Sequence, residues 1–144
     1  MALGRLIGGG FVALFLAAQA MAVELVMVQQ PGCEWCERWH TEIGPSYSNT
    51  SEGRFAPLRQ VDLRALREDL AVARRVAYTP TFLIVENNRE LARLEGYPGA
   101  DFFWPLLTAL VAEHAGFDPA APADADGTQP IRAEIIEAGA TGKT

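Results

Sequence analysis

Apolar positions along this 144-residue chain change their period several times, and each change marks an element. Val23 to Val28 is short, mostly apolar and partly β-branched, which predicts a buried strand. Gln29 to Gly32 turns the chain. From Glu34 the spacing becomes helical: Cys36, Trp39 and Ile43 share one face, while Glu34, Glu37, Arg38 and Glu42 fall mostly on others. Gly44-Pro45 ends or kinks that helix. Ser46 to Gly53 is polar and reads as loop, with room for one helical turn after Pro45.

The pattern then repeats. Pro57 to Asp62 predicts a second strand, and Leu63 to Val76 a helix, with Leu66, Leu70 and Ala73 at helical spacing and arginines outside. Tyr78-Thr79-Pro80 is a stop. Thr81 to Glu86 is a strand without charge until its last residue. Asn87-Asn88 is turn chemistry, because Asn tolerates a positive φ. After it, Leu91, Ala92 and Leu94 oppose Glu90, Arg93 and Glu95, a hairpin whose second strand is half exposed. Gly96-Tyr97-Pro98-Gly99 breaks the chain again. Asp101 is the expected cap of a last helix carrying Phe102, Phe103, Leu106, Leu107, Leu110 and Val111; Pro105 fits it only in the first turn, and Gly116 ends it.

The order is strand, helix, strand, helix, strand, strand, helix. Strand-helix-strand units place their strands parallel through right-handed crossovers, and the Asn-Asn hairpin adds an antiparallel pair. The expectation is an α/β fold, a four-stranded mixed sheet with flanking helices on both faces, carried by residues 23–116.

The ends differ from this core. Residues 1–22 read as a secretory signal, with Arg5 as the positive region, Leu6 to Ala18 as the apolar region and Ala20-Met21-Ala22 as a small-x-small cleavage site. If uncleaved, the segment would be a membrane anchor, at the lower limit of spanning length. Residues 117–144 are rich in Ala, Pro, Asp, Gly and Thr and read as a flexible tail, with Ile131, Ile135 and Ile136 as its one apolar patch.

Composition narrows the function. The chain is 49% hydrophobic and 21% charged, as a globular domain with a core should be. The net charge is -6, Lys143 is the only lysine, and no basic stripe or zinc-finger spacing occurs, which argues against nucleic acid as a partner. There is no phosphate loop or dinucleotide fingerprint. Two cysteines are too few for a disulfide scaffold.

Those two cysteines, Cys33 and Cys36, lie three apart in Pro31-Gly32-Cys33-Glu34-Trp35-Cys36, at a predicted strand-to-helix junction. Positions i and i+3 share a helix face, and a helix start favours a thiolate. Three readings are open: a stable disulfide, a metal site (as in a copper chaperone) made by Cys33, Cys36 and His40, and a redox dithiol. A structural bridge over so short a loop constrains little of the unfolded chain, and the metal set lacks a fourth ligand. A working redox dithiol fits the position best. Trp35, between the cysteines, is either a contact for a partner or a cover for the helix start; Trp39 belongs to the core.

The order of elements, the Cys-x-x-Cys at a helix start and Thr79-Pro80 before a buried strand together resemble the thioredoxin fold in its minimal form (β-α-β-α-β-β-α). A narrower resemblance is to the SoxS-type exported thioredoxin-like family of bacterial sulfur-oxidation (Sox) systems. Its carriers are Pro31-Gly32-Cys33, Cys36, Trp39-His40, Glu42-Ile43, Pro45, Tyr47, Glu52-Gly53-Arg54, Ala56-Pro57-Leu58, Val61-Asp62-Leu63-Arg64 and Thr79-Pro80-Thr81-Phe82. The resemblance implies a periplasmic disulfide reductase with catalytic Cys33 and Cys36, and a cis Pro80 facing them. Trp35 is a candidate substrate contact from its place between the cysteines; the resemblance implies a substrate segment paired to the backbone of Thr79. It also implies no cofactor or metal beyond the redox-active disulfide itself. The partners it implies are a protein disulfide, such as the SoxY sulfur carrier of a SoxYZ complex, and a membrane thiol-disulfide electron donor of the DsbD or CcdA type, with the protein acting as a monomer. A disulfide oxidase or isomerase is the rival within the same chemistry. Glu34 and Glu37 oppose a thiolate at Cys33, so a milder pKa depression than in strong oxidases is expected, and with it a reductant.

Overall fold

The computed structural model describes residues 22–121. Most of the expected signal and the tail beyond Ala121 lie outside them. Four strands form one sheet: β1 (Val23–Gln29), β2 (Leu58–Asp62), β3 (Thr81–Glu86) and β4 (Arg89–Glu95), in the order β2-β1-β3-β4. β1 and β2 are parallel, while β1–β3 and β3–β4 are antiparallel. The sheet is therefore mixed, as the strand-helix-strand start and the Asn-Asn hairpin require. Asn87 and Asn88 take φ of 49° and 60°, the left-handed pair of residues that matches the twist of a two-residue hairpin.

The alternation along β1 and β3 divides the core in two. Leu25, Met27, Phe82 and Ile84 point to one face, against α1 (Glu34–Glu42), α2 (Gly44–Tyr47), α3 (Ser51–Phe55) and α5 (Ala100–Ala115), and they pack on Trp39, Ile43, Tyr47, Phe103 and Leu107. Val26, Val28, Leu83 and Val85 point to the other face, covered by α4 (Leu66–Asp69) and the chain that follows it, through Leu66, Leu70 and Val76. The packed unit runs one residue past Gly116, whose φ of 75° ends α5: Phe117 packs on Phe55 with ring centroids 5.1 Å apart and is buried.

Three local expectations are corrected. The stretch Ser46 to Gly53 is not all loop. Thr50 caps α3 by accepting the Gly53 N–H at 3.0 Å, and its own hydroxyl donates to the Tyr47 carbonyl at 2.8 Å. Gly53 is required there, because a Cβ would lie 1.8 Å from the Tyr47 carbonyl oxygen. The helix expected over Leu63 to Val76 is only the four-residue α4; at Leu70 the backbone turns extended, with φ -138° and ψ 140°. Asp101 is not the cap of α5: Gly99 takes that position, Asp101 lies in the first turn, and Pro105 is inside the helix in its second turn. The half-exposed second strand of the hairpin is as expected, with Glu95 exposed, although the Glu90 and Arg93 side chains are only 4% and 6% exposed.

Candidate redox site

β1 ends at Gln29 and α1 starts at Glu34, so Gln30 to Cys33 make the junction, with Gly32 at φ 74°. Cys33 is the N-cap of α1, in extended conformation, and its carbonyl accepts the Cys36 and Glu37 N–H groups at 3.0 and 3.1 Å. Its sulfur takes the role that a Ser or Asp oxygen plays at other helix starts: Sγ accepts the Cys36 N–H at 3.1 Å. The two sulfurs are joined in a disulfide, S–S 2.02 Å. Both residues are buried, Cys33 at 8% and Cys36 at 3% exposure, with Cys33 the more exposed residue. On reduction, a thiolate at Cys33 would be held by the same N–H and by the positive end of the helix. The exposed carboxylates of Glu34 and Glu37, in the first turn, act against it.

Thr79 and Pro80 reach the same end of the sheet. Val28 is paired with Thr81, so the chain leaving β1 toward Cys33 and the chain entering β3 from Pro80 are neighbours. The Thr79–Pro80 peptide bond is cis. The Pro80 carbonyl accepts from Gly96 N–H at 2.8 Å, and the Thr81 hydroxyl donates to the Tyr78 carbonyl at 2.8 Å. Pro80 is buried and Thr79 half-buried.

Trp35 is 51% exposed, with the Arg38 guanidinium 5.6 Å from its ring centroid. Arg38 is in turn bound to Glu42 at 2.7 Å, and Glu42 accepts the Tyr97 hydroxyl at 2.6 Å. The Tyr97 hydrogen bond, followed by that from Arg38, holds the Glu42 carboxyl below the usual carboxylate range. Burial, with the Glu42 carboxylate next, pushes the Tyr97 phenol up. An exposed ring beside the disulfide is thus tied, through two charged side chains, to the aromatic core.

Sequence reasoning missed two features. Tyr78 is 67% exposed immediately before Thr79, and its place next to a Thr-Pro step was the available signal. On the β2 side of the disulfide, a cavity of about 400 Å³ is walled by Gln29, Cys33, Cys36, His40, Gln60 and Asp62. His40 Nε2 lies 2.7 Å from Gln29 Oε1, and Gln29 Nε2 donates to Gln60 Oε1 at 2.9 Å. The third member of the alternative metal set is therefore engaged by an amide. Among the described residues no cluster of three or more His, Cys, Asp or Glu side chains is arranged to hold a metal ion. No helix among them is long and apolar enough to cross a membrane.

No family model and no curated protein matches the chain. Solved structures similar to it include these two. One is the periplasmic thioredoxin SoxS from Paracoccus pantotrophus in its reduced form, at 48% sequence identity and a TM-score of 0.60, covering 63% of this chain and 97% of that one. The other is thioredoxin-2, a component of malaria parasite protein secretion machinery, at 20% identity and a TM-score of 0.46, covering 73% of this chain and 99% of that one; this likeness is too slight to carry weight.

Proposed function

The chain belongs to the thioredoxin superfamily and, within it, to the SoxS-type thioredoxins, and on that premise we propose that it reduces protein disulfides in the periplasm, with Cys33 as nucleophile and Cys36 as resolving thiol. Its general chemistry is that of a thiol-disulfide oxidoreductase. The observation that supports the assignment of roles is the placement of the sulfurs. Cys33, the more exposed residue, has its Sγ at the N-cap where it receives a backbone N–H, whereas Cys36 follows within the first turn of the helix.

In the reduced protein the Cys33 thiolate attacks one sulfur of a substrate disulfide. A mixed disulfide forms, and the other substrate sulfur leaves as a thiolate. Cys36 then loses its proton to that thiolate or to solvent and attacks Cys33. The Cys33–Cys36 bond forms, the mixed disulfide breaks, and the second substrate sulfur leaves. Two electrons have passed to the substrate, and a dithiol donor must return them. A membrane thiol-disulfide transporter fits that role, and no bound cofactor is needed. The Thr79 backbone, half-buried at the same end of the sheet, suits pairing with an extended substrate segment; Trp35 and Tyr78 offer exposed rings beside it. The substrate we favour is the thiol-bearing sulfur carrier of a Sox pathway, because the similar structure is a SoxS.

The test is a trap. Cys36→Ser, exposed to periplasmic extract, should accumulate a disulfide-linked species through Cys33, and mass spectrometry of the partner should return the sulfur carrier. A Cys36→Ser protein that reduces substrate as fast as wild type would overturn the roles, since no resolving thiol would then be needed. A reduction potential near -270 mV supports a reductant; one near -120 mV would make the protein an oxidant.

A further inference from the structure

Between α4 and β3 the chain runs from Leu70 to Pro80 with a single β-bridge, Ala71 to Arg89, as its only regular pairing. Its buried apolar side chains are Leu70, Val76 and, at its end, Pro80, with Val72 partly buried against the same cluster. So few apolar anchors leave a segment free to move, yet this one ends in Tyr78, Thr79 and Pro80. What ties it down is a pair of charges on β4.

The tie depends on an irregularity in the strand. Ile84 pairs with Ala92 but Val85 pairs with Glu90, so Leu91 is an extra residue in β4. Residues three apart on a regular strand face opposite ways; the bulge brings Glu90 and Arg93 to one face. There they form a two-pronged ion pair, Nε to Oε1 at 2.6 Å and Nη2 to Oε2 at 2.7 Å, at 4% and 6% exposure. Both partners also hold the passing main chain. Glu90 Oε2 accepts the Ala73 N–H at 2.8 Å, and Arg93 Nη2 donates to the Arg74 carbonyl at 2.8 Å. Arg74 returns across the strand to Glu95 at 2.9 Å, which Arg93 also reaches at 3.2 Å.

We propose that Glu90 and Arg93 are positioning residues: by gripping the main chain at Ala73 and Arg74 they set where Tyr78, Thr79 and Pro80 stand before a protein substrate arrives. The inference rests on the reading that this loop meets the substrate. Its physical basis is preorganisation: a loop already ordered gives up less freedom when a peptide pairs with it. A purely structural pair would behave differently. Replacing a buried ion pair by apolar side chains of similar volume is often neutral or stabilising, whereas removing one partner leaves a buried charge uncompensated.

The experiment compares wild type, Arg93→Met and the double variant Glu90→Leu/Arg93→Met. It reads thermal stability, KM and kcat for oxidised insulin, the rate with cystine as a small disulfide, and amide hydrogen exchange at residues 73–79. Arg93→Met should lose stability and the double variant should regain it. In both, KM for insulin should rise about tenfold with kcat little changed, the cystine rate should stay as in wild type, and exchange at 73–79 should quicken about tenfold. A double variant with wild-type KM and wild-type exchange would overturn the proposal and leave the pair a folding element only. If the wild-type protein reduces no protein disulfide, the reductase reading falls, and the exchange rates alone decide whether the pair orders the loop.

Discussion

On one face of the sheet Trp39 meets Tyr47, Phe82 and Phe103 with ring centroids 5.4 to 6.1 Å apart, and the disulfide belongs to the same buried cluster. On the other face the buried hydrophobic cluster is made of valines and leucines, without an aromatic ring, and much of the covering chain is held by main-chain and carboxylate hydrogen bonds. The dithiol therefore sits on a part of the molecule that aromatic packing over-determines. The loop proposed to meet the substrate sits on a part with few apolar anchors. A reaction in which two sulfurs must approach each other while substrates vary has reason for this division: the bond-making pair is fixed and the contact surface is adjustable.

The largest expected effect sharpens that contrast. Trp39→Ala removes a fully buried ring from the aromatic face and should cost about 4 kcal/mol, while Val76→Ala on the thin face should cost about 2 kcal/mol. Urea unfolding of the oxidised protein measures both; equal costs would mean that the two faces are equally anchored. A smaller effect concerns the tie from Trp35 to the core. Tyr97→Phe deletes the hydroxyl that holds Glu42 down, so Glu42 should titrate closer to its ordinary value. A carboxyl with a depressed folded pKa adds stability above its ordinary pKa of about 4.3, and loses it as the pH falls through the folded value. The raised Tyr97 phenol adds stability below about 10, and loses it as the pH rises. The gap in melting temperature between wild type and Tyr97→Phe should thus be widest near neutrality and shrink at both extremes. A gap independent of pH would show that the hydroxyl acts by packing alone.

The same division separates what the sequence makes legible from what it hides. β3 was readable end to end, because Thr81 to Glu86 is a continuous apolar run closed by Asn87-Asn88. The helix start at Glu34 followed from the turn before it and the spacing after it. The failed helix over Leu63 to Val76 has helical spacing at Leu66, Leu70 and Ala73, but the Ala71 and Ala73 amides are claimed by the Asn88 carbonyl and the Glu90 carboxylate. Those partners lie about 17 residues on, and local periodicity has no access to them. One trace was on view: Leu91 and Ala92, two apolar neighbours in an otherwise alternating strand, are where the register shifts. At the site, Cys33, Cys36 and Thr79-Pro80 were found from spacing and resemblance. The His40–Gln29–Gln60 chain was not, because two dispersed glutamines carry no local signature, and Tyr78 was passed over although it stands next to the Thr-Pro step.

The proposed exchange needs one sulfur reactive and the other sheltered. Alkylation of the freshly reduced protein as a function of pH, with the modified residue located by mass spectrometry, tests this most directly. Cys33 should be modified first, with an apparent pKa below the ordinary 8.5 but above about 5, and Cys36 only after unfolding; Glu37→Gln, which removes an exposed opposing charge, should lower that value. Modification of Cys36 before Cys33, or a Cys33 thiol with the pKa of a free cysteine, would contradict it.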